Sequence, residues 1–557
     1  MDGRRHGARE LPAELPQHLR GDHGDRRRGG LRHPHAAPPA RGPDPGWSGG
    51  DGAHRGAGGA DHHRRFRLPH HHPLPGAQEH RLDDLRGGAL RKPRSHRRAP
   101  APGGLRGAAV AVRRLDPARA LVLSFALLIA VGTVLLRQPW AAQAGRQLSW
   151  AEALFTATSA TCVTGLAVRP PTDHSTLGQA VILALIQVGG LGIMTFGLFF
   201  SLLLGRRLSL FGRNLILSSL SHTGWEDFWP LLRTVVAATV AVEGIGAALL
   251  VAGWWPEKGL AAIPWGVFHA VSAFCNAGFG LHPASLAPWR AHPIVPVVVG
   301  VLIVAGGVGF LPMAELVERW RRRERHPLTL HTRTVLVMTG VLLLSGWVGF
   351  AFLERSAALA GMPLGERLLA VWLQGITPRT AGFSSVDVGS LRPATLLLFM
   401  VLMFVGASPG STGGGVKTTT VGVLLSIVVA RIRSRRQVSL FGRGIGQGSA
   451  WSAVTVVVVA LAMVAGGTFL LVALEHAGPG GAQARVRFLA EAFEVTSAFG
   501  TVGLSTGITP ELSGPSWLVL VGIMFAGRVG PLTLGLALAG RRPRAEPRFV
   551  EEELMVG

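Results

Sequence analysis

Four short segments of this 557-residue chain end alike, in small and polar residues closed by a glycine and a bulky apolar residue. They are TSATCVTGL at 158–166, VSAFCNAGF at 271–279, GITPRTAGF at 375–383 and TSAFGTVGL at 496–504. The closing glycines, Gly165, Gly278, Gly382 and Gly503, are 113, 104 and 121 residues apart. That spacing is too long for a solenoid and suits a whole structural unit present four times in one chain. Each unit is expected to supply one quarter of a single site.

Composition says where the site sits. A mean hydropathy of +0.33, with 48% hydrophobic and only 16% charged residues, points to an integral membrane protein. The formal net charge of +24 could suggest nucleic acid. Much of the excess lies in the first hundred or so residues, however, and the rest clusters at the ends of apolar runs, as the positive-inside rule expects. No nucleic-acid partner is expected. Cys162 and Cys275 each stand three residues before their glycine, equivalent places that argue against a structural disulfide.

Apolar runs able to cross roughly 30 Å of hydrocarbon come in pairs around each repeat. They are about 118–136 and 177–204, 232–254 and 294–313, 335–353 and 394–430, and 453–474 and 517–538. Between the members of each pair, a shorter apolar segment such as 150–160 or 488–498 leads into the repeat and fits a re-entrant half-helix. The expectation is an all-α integral membrane fold: four pseudo-repeated span, pore-helix, span units around a central pore. Their bounds are 111–220, 221–328, 329–445 with an interrupted span, and 446–557 with a C-terminal tail.

Clusters of arginines flank the spans on the side opposite the half-helices. They are Arg113 and Arg114; Arg206, Arg207 and Arg213; Arg319, Arg321, Arg322, Arg323 and Arg325; Arg431, Arg433, Arg435 and Arg436; and Arg541, Arg542 and Arg544. That side and the N-terminus are expected to be cytoplasmic, with the repeats facing outward in the cell membrane. Residues 1–110 are a low-complexity Arg/Gly/Pro/His extension without an apolar signal core. It is expected to be disordered or not native at all, and its histidines at 62, 63 and 70–72 read as compositional rather than metal-binding.

Non-helical backbone at membrane depth must line a wet cavity or lie buried in protein. The C-terminal end of a half-helix is the negative end of its dipole, and the glycine can turn neighbouring carbonyls inward. None of the four nonapeptides contains Asp or Glu. A ring of carbonyls without carboxylates suits a dehydrated monovalent cation. The candidate filter is Cys162, Val163, Thr164 and Gly165; Cys275, Asn276, Ala277 and Gly278; Arg379, Thr380, Ala381 and Gly382; and Gly500, Thr501, Val502 and Gly503.

The sixth span is interrupted by SPGSTGGG at 408–415, ahead of Lys417. It resembles a Walker phosphate loop only superficially, since Val416 follows Gly415 where that motif has Lys and the flanks are spans. The expected role is a polar, flexible segment under the filter, comprising Ser408, Gly410, Ser411, Thr412, Gly413, Gly414, Gly415 and Lys417. Arg528, within the last span, is a charge at depth and reads as pore-facing and joined to that segment, while Glu243 is intramembrane without an evident partner. No HExxH motif or nucleophile elbow is present, so an enzyme is not expected.

Seven motifs together carry a family resemblance. They are TSATCVTGL, IQVGGLGIMT at 186–195, SAFCNAGF, TPRTAGF, ASPGSTGGGVKTTT at 407–420, SAFGTVGLSTG and GRVGPLTL at 527–534. On them the chain, from about residue 115 onward, resembles the Trk/Ktr/HKT superfamily of potassium transporters, most closely the Ktr-type (KtrB-like) membrane subunit. Trk relatives usually add two N-terminal spans, absent here, and HKT relatives often carry Ser where this chain has Gly165. The resemblance implies K+ uptake, homodimerisation, an intramembrane gating loop at 408–417, and control by a cytosolic nucleotide-binding ring (KtrA-like). It implies K+ as substrate, no covalent cofactor and Na+ as a candidate activating ion; the alternative is a less selective Na+/K+ transporter.

Overall fold

Lipid offers the backbone no hydrogen-bond partners, so an apolar run satisfies its own N–H and C=O groups by closing into a helix. The structure, a computed structural model, describes residues 117–143, 146–203, 228–323, 327–476 and 482–539, all within one unit from Pro100 to Gly557. The expectations for residues 1–110 and for Arg113, Arg114, Arg206, Arg207, Arg213, Arg325, Arg541, Arg542 and Arg544 lie outside the described residues.

Four helices form the first span of each repeat: α1 (Pro117–Arg137), α4 (Phe228–Lys258), α8 (Leu330–Leu353) and α12 (Gln447–Glu475). At about 1.5 Å per residue each is long enough to cross the hydrocarbon. Each leads to a helix that stops at the repeat: α2 (Trp150–Thr161), α5 (Ala262–Phe274), α9 (Leu364–Ile376) and α13 (Ala482–Gly500). The start of α2 is fixed by a capping box, in which Ser149 Oγ accepts the Glu152 N–H and the Glu152 carboxylate accepts the Ser149 N–H.

The second spans differ from one another. In the first repeat, α3 (Thr176–Leu203) is continuous. The expected single span at 294–313 is instead α6 (Val295–Val308) and α7 (Phe310–Arg322), bent by 102°. In the third repeat, α10 (Pro393–Phe404) and α11 (Thr418–Ile432) are separated by residues 405–417. The expected last span at 517–538 is also two helices, α14 (Gly514–Val529) and α15 (Pro531–Ala539). Both unexpected breaks fall at a left-handed glycine, Gly309 (φ 91°) and Gly530 (φ 92°). A short hairpin, β1 (Ser439–Leu440) with β2 (Arg443–Gly444), joins α11 to α12, and isolated bridges pair Ala142 with His174 and Val405 with Val416 in an otherwise helical set of described residues.

Four large buried clusters hold the helices together, and each straddles two repeats. Ile186 of α3 meets Phe268 and Phe279; Phe274 and Ile303 meet Leu373 and Phe383. Phe399 meets Phe493 and Leu504, and Phe155 and Leu166 meet Val495 and Met524. The pairing therefore runs first to second, second to third, third to fourth and fourth back to first. Large apolar side chains on the outward faces, such as Leu127, Ile245, Phe352 and Phe469, are left exposed, as suits contact with lipid.

Candidate functional site

Each short helix ends in the same backbone turn. Its last residues keep helical bonds, as in Cys162 N–H to Thr158 (2.8 Å) and Cys275 N–H to Val271 (2.9 Å). The next residue is left-handed in all four repeats: Val163 (φ 56°), Asn276 (59°), Thr380 (62°) and Thr501 (48°). Two residues later the glycine is left-handed again: Gly165 (98°), Gly278 (69°), Gly382 (77°) and Gly503 (89°). In the first and fourth repeats a serine on the helix holds this turn, with Ser159 Oγ accepting Gly165 N–H (3.0 Å) and Ser497 Oγ accepting Gly503 N–H (3.1 Å).

The four glycines face one another in cyclic order. A Cβ built on Gly278 would lie 2.8 Å from the Ala381 carbonyl oxygen and 2.9 Å from Gly382 Cα. One on Gly165 would strike the Ala277 oxygen, one on Gly382 the Val502 oxygen, and one on Gly503 the Thr164 oxygen. The ring thus closes from Gly165 through Gly278, Gly382 and Gly503 back to Gly165, with one carbonyl of each neighbour at every junction. A cavity of about 550 Å³, lined by all four glycines and by residues such as Leu166, Phe279, Ser384 and Leu504, opens along the outgoing strands.

Residues 405–417 pack against this ring. A Cβ on Gly413 would meet Thr380 Oγ1, and one on Gly414 would meet Thr501 Oγ1. The segment is pinned to α5 and α6: Thr412 Oγ1 donates to the Phe274 carbonyl (3.1 Å), Thr412 N–H to Gly306 (3.3 Å) and Ser408 N–H to Gly307 (3.1 Å). Internally Ser411 Oγ donates to the Ser408 carbonyl (2.6 Å), Thr418 Oγ1 to Ser408 Oγ (2.9 Å) and Lys417 Nζ to the Gly413 carbonyl (2.7 Å). The Gly410 carbonyl accepts the Phe310 N–H (3.1 Å) just past the Gly309 break.

Arg528 is 3% exposed and lies in the last turn of α14, just before the break at Gly530. Its Nη1 donates to the Thr412 carbonyl and its Nη2 to the Gly189 carbonyl at 2.8 Å, while its Nε has no partner among the described residues. The segment at 405–417, α3 and α14 thus share one side chain. Such a charge needs neutral acceptors where no carboxylate is near.

Several contacts lay beyond sequence reasoning. Glu243 accepts from Gln187 Nε2 at 3.1 Å and lies 3.7 Å from Cys275 Sγ, so its partners come from α3 and the second repeat. The Asn276 amide nitrogen faces the carbonyls of Ala273, Phe274 and Ile303, and its oxygen accepts from Thr380 Oγ1 at 3.1 Å, linking neighbouring repeats. Arg379, placed in the candidate filter for its carbonyl, has a buried guanidinium whose Nε and Nη2 lack partners among the described residues. Cys162 and Cys275 are both free.

Residues 119–546 match the TrkH family, described as "Cation transport protein". The chain belongs to this family of cation transporters. It is 37% identical over 450 residues to the Ktr system potassium uptake protein B of Bacillus subtilis strain 168, covering 80% of this chain and 97% of that one. It is 36% identical to the potassium/sodium uptake protein NtpJ of Enterococcus hirae, covering 80% and 98%. The potassium transporter TrkH from Vibrio parahaemolyticus shares the fold, with a TM-score of 0.60 at 15% identity over 76% of this chain and 86% of that one. As a TrkH-family member the chain is a multi-pass membrane transporter and not an enzyme.

Proposed function

We propose that this transporter takes up K+ across the cytoplasmic membrane through a filter made by Cys162–Gly165, Cys275–Gly278, Arg379–Gly382 and Gly500–Gly503. The observation that carries this reading is the closed ring, in which each glycine sits against a carbonyl of the next repeat. Left-handed residues at alternate positions turn carbonyls toward a shared axis, where they replace the hydration shell of a monovalent cation. Four equivalent contributions, one from each of the units bounded at 111, 221, 329 and 446, surround the ion.

The segment from Ser408 to Lys417 is the gate, and Arg528 is its latch in the closed state. Backbone carbonyls and hydroxyls fill the path directly against Thr380 and Thr501, and a fixed positive charge beside them repels a cation. A ligand opens such a gate only by favouring the displaced segment, and a cytosolic nucleotide-binding ring is the source of that bias. The chain works as a homodimer with its N-terminus and Arg-rich ends cytoplasmic, and Na+ acts as an activating ion.

A second reading, transport of both Na+ and K+, is favoured by the likeness to a relative named for both ions. Uptake of K+ against Na+ by a K+-uptake-deficient cell expressing the chain, with and without the cytosolic partner, separates the two. Growth rescue and K+ uptake that Na+ does not compete with support the first reading; equal uptake of both ions supports the second.

A further inference from the structure

Beyond each ring glycine the chain leaves along the wall of the cavity, and in every repeat a side chain of the preceding short helix reaches that outgoing strand. The chemistry differs each time. Glu152 of α2 accepts from Arg169 Nε at 2.7 Å. His269 of α5 accepts the Leu281 N–H at Nε2 (3.4 Å), while its Nδ1 donates to the Trp265 carbonyl (2.8 Å). Gln374 of α9 donates to Ser384 Oγ at 2.9 Å.

The fourth strut is the densest. Glu494 of α13 is fully buried, and its Oε1 accepts from Ser505 Oγ (2.7 Å), Thr506 N–H (2.9 Å) and Thr506 Oγ1 (3.3 Å). Its Oε2 accepts from Thr509 Oγ1 (2.8 Å). His269 and Glu494 hold the same place, nine residues before the ring glycine, and each accepts the N–H three residues after it. That place holds Thr156 in the first repeat and Leu373 in the third, and the Thr156 hydroxyl has no partner among the described residues.

A carboxylate flanked by buried Phe493 and Val495, with no cation paired to it among the described residues, is a poor way to gain stability. All its compensation comes from donors on the strand that leaves Gly503, so what it secures is the position of that strand. The geometry points to Glu494 as a positioning residue that holds the fourth quarter of the ring at the separation selecting K+ over Na+. The inference rests on the carbonyl-filter reading above.

The test is the K+/Na+ uptake ratio, the half-saturating K+ concentration and the maximal K+ flux of full-length protein in liposomes. Glu494→Leu keeps the volume and loses all four bonds. The expected result is a roughly tenfold lower K+/Na+ ratio and a raised half-saturation, with maximal flux retained, because supporting residues around an ion site commonly shift affinity by that order. Glu494→Gln keeps an oxygen for Ser505 and Thr506 and offers an amide to the Thr509 hydroxyl, which can turn to accept, so it should stay near wild type. If the Leu variant does not accumulate, Ser505→Ala with Thr509→Val removes donors from the strand side and should lower the ratio likewise. A folded Leu or double variant with the wild-type ratio, or one that loses only flux, overturns the inference. A wild type with no preference for K+ overturns the filter reading itself.

Discussion

Val163, Thr380 and Thr501 are β-branched and left-handed, a combination that costs roughly 1–3 kcal/mol apiece. The surroundings sustain it by closing off alternatives: Val163 and Thr501 are each followed by a bond back to the helix, from Thr164 N–H to Ser159 (2.8 Å) and from Val502 N–H to Ser497 (2.9 Å). Glycines on the second spans make the close approach feasible. A Cβ on Gly189, Gly306 or Gly527 would fall on the carbonyl of Thr161, Phe274 or Phe499, each four residues before its ring glycine. Gly527→Ala is therefore expected to destabilise the detergent-solubilised protein by about 1–3 kcal/mol, as overpacking does. Thermal unfolding monitored by tryptophan fluorescence checks this, and a midpoint equal to wild type would show that α14 can move away at no cost.

Among the elements, the segment between α10 and α11 is joined to the broken end of α14, since Arg528 reaches the Thr412 carbonyl, and the proposed function makes the two one device. Arg528→Gln, or removal of Gly413 to Gly415, is expected to raise K+ flux severalfold without the cytosolic partner while leaving K+/Na+ selectivity near wild type, because the first weakens charge-assisted bonds that hold the segment seated and the second shortens the backbone that lies against Thr380 and Thr501. Rubidium tracer uptake into liposomes measures it. Falling flux, or selectivity lost together with it, would place these residues in the filter or the fold. The interruption at 408–415 was legible because Gly, Pro and Ser crowd together there, and in the structure it extends to 405–417. The breaks at Gly309 and Gly530 were not, because a lone glycine in an apolar run looks like a helix-packing residue until its φ is known.

For the whole molecule, four matching segments with their glycines were readable in the sequence, whereas the order in which those glycines lie side by side was not. Which carbonyl lies beside which glycine depends on chain segments more than a hundred residues apart, as with Thr164 and Gly503. Glu243 shows the same limit, for its partner Gln187 stands 56 positions away on another helix. The exposed arginines after α11, Arg433, Arg435 and Arg436, suit a cytoplasmic face by the positive-inside rule, and we propose that they also border the cytosolic ring. Replacing all three with Glu is expected to lower co-purification of the cytosolic ring by about tenfold at low salt, since the attraction of such surfaces is screened. Undiminished recovery would leave topology as their only role.

The central claim is that four repeats each supply one quarter of one cation filter. Its most direct test is the K+/Na+ permeability ratio of purified protein in liposomes, for wild type and for Gly165→Ser, Gly278→Ser, Gly382→Ser and Gly503→Ser singly. Each serine would place a Cβ against a neighbouring repeat's carbonyl at a left-handed backbone position. The account predicts that wild type prefers K+ and that every one of the four variants loses much of that preference while remaining folded. Full selectivity in all four, or a loss confined to one repeat, would contradict it.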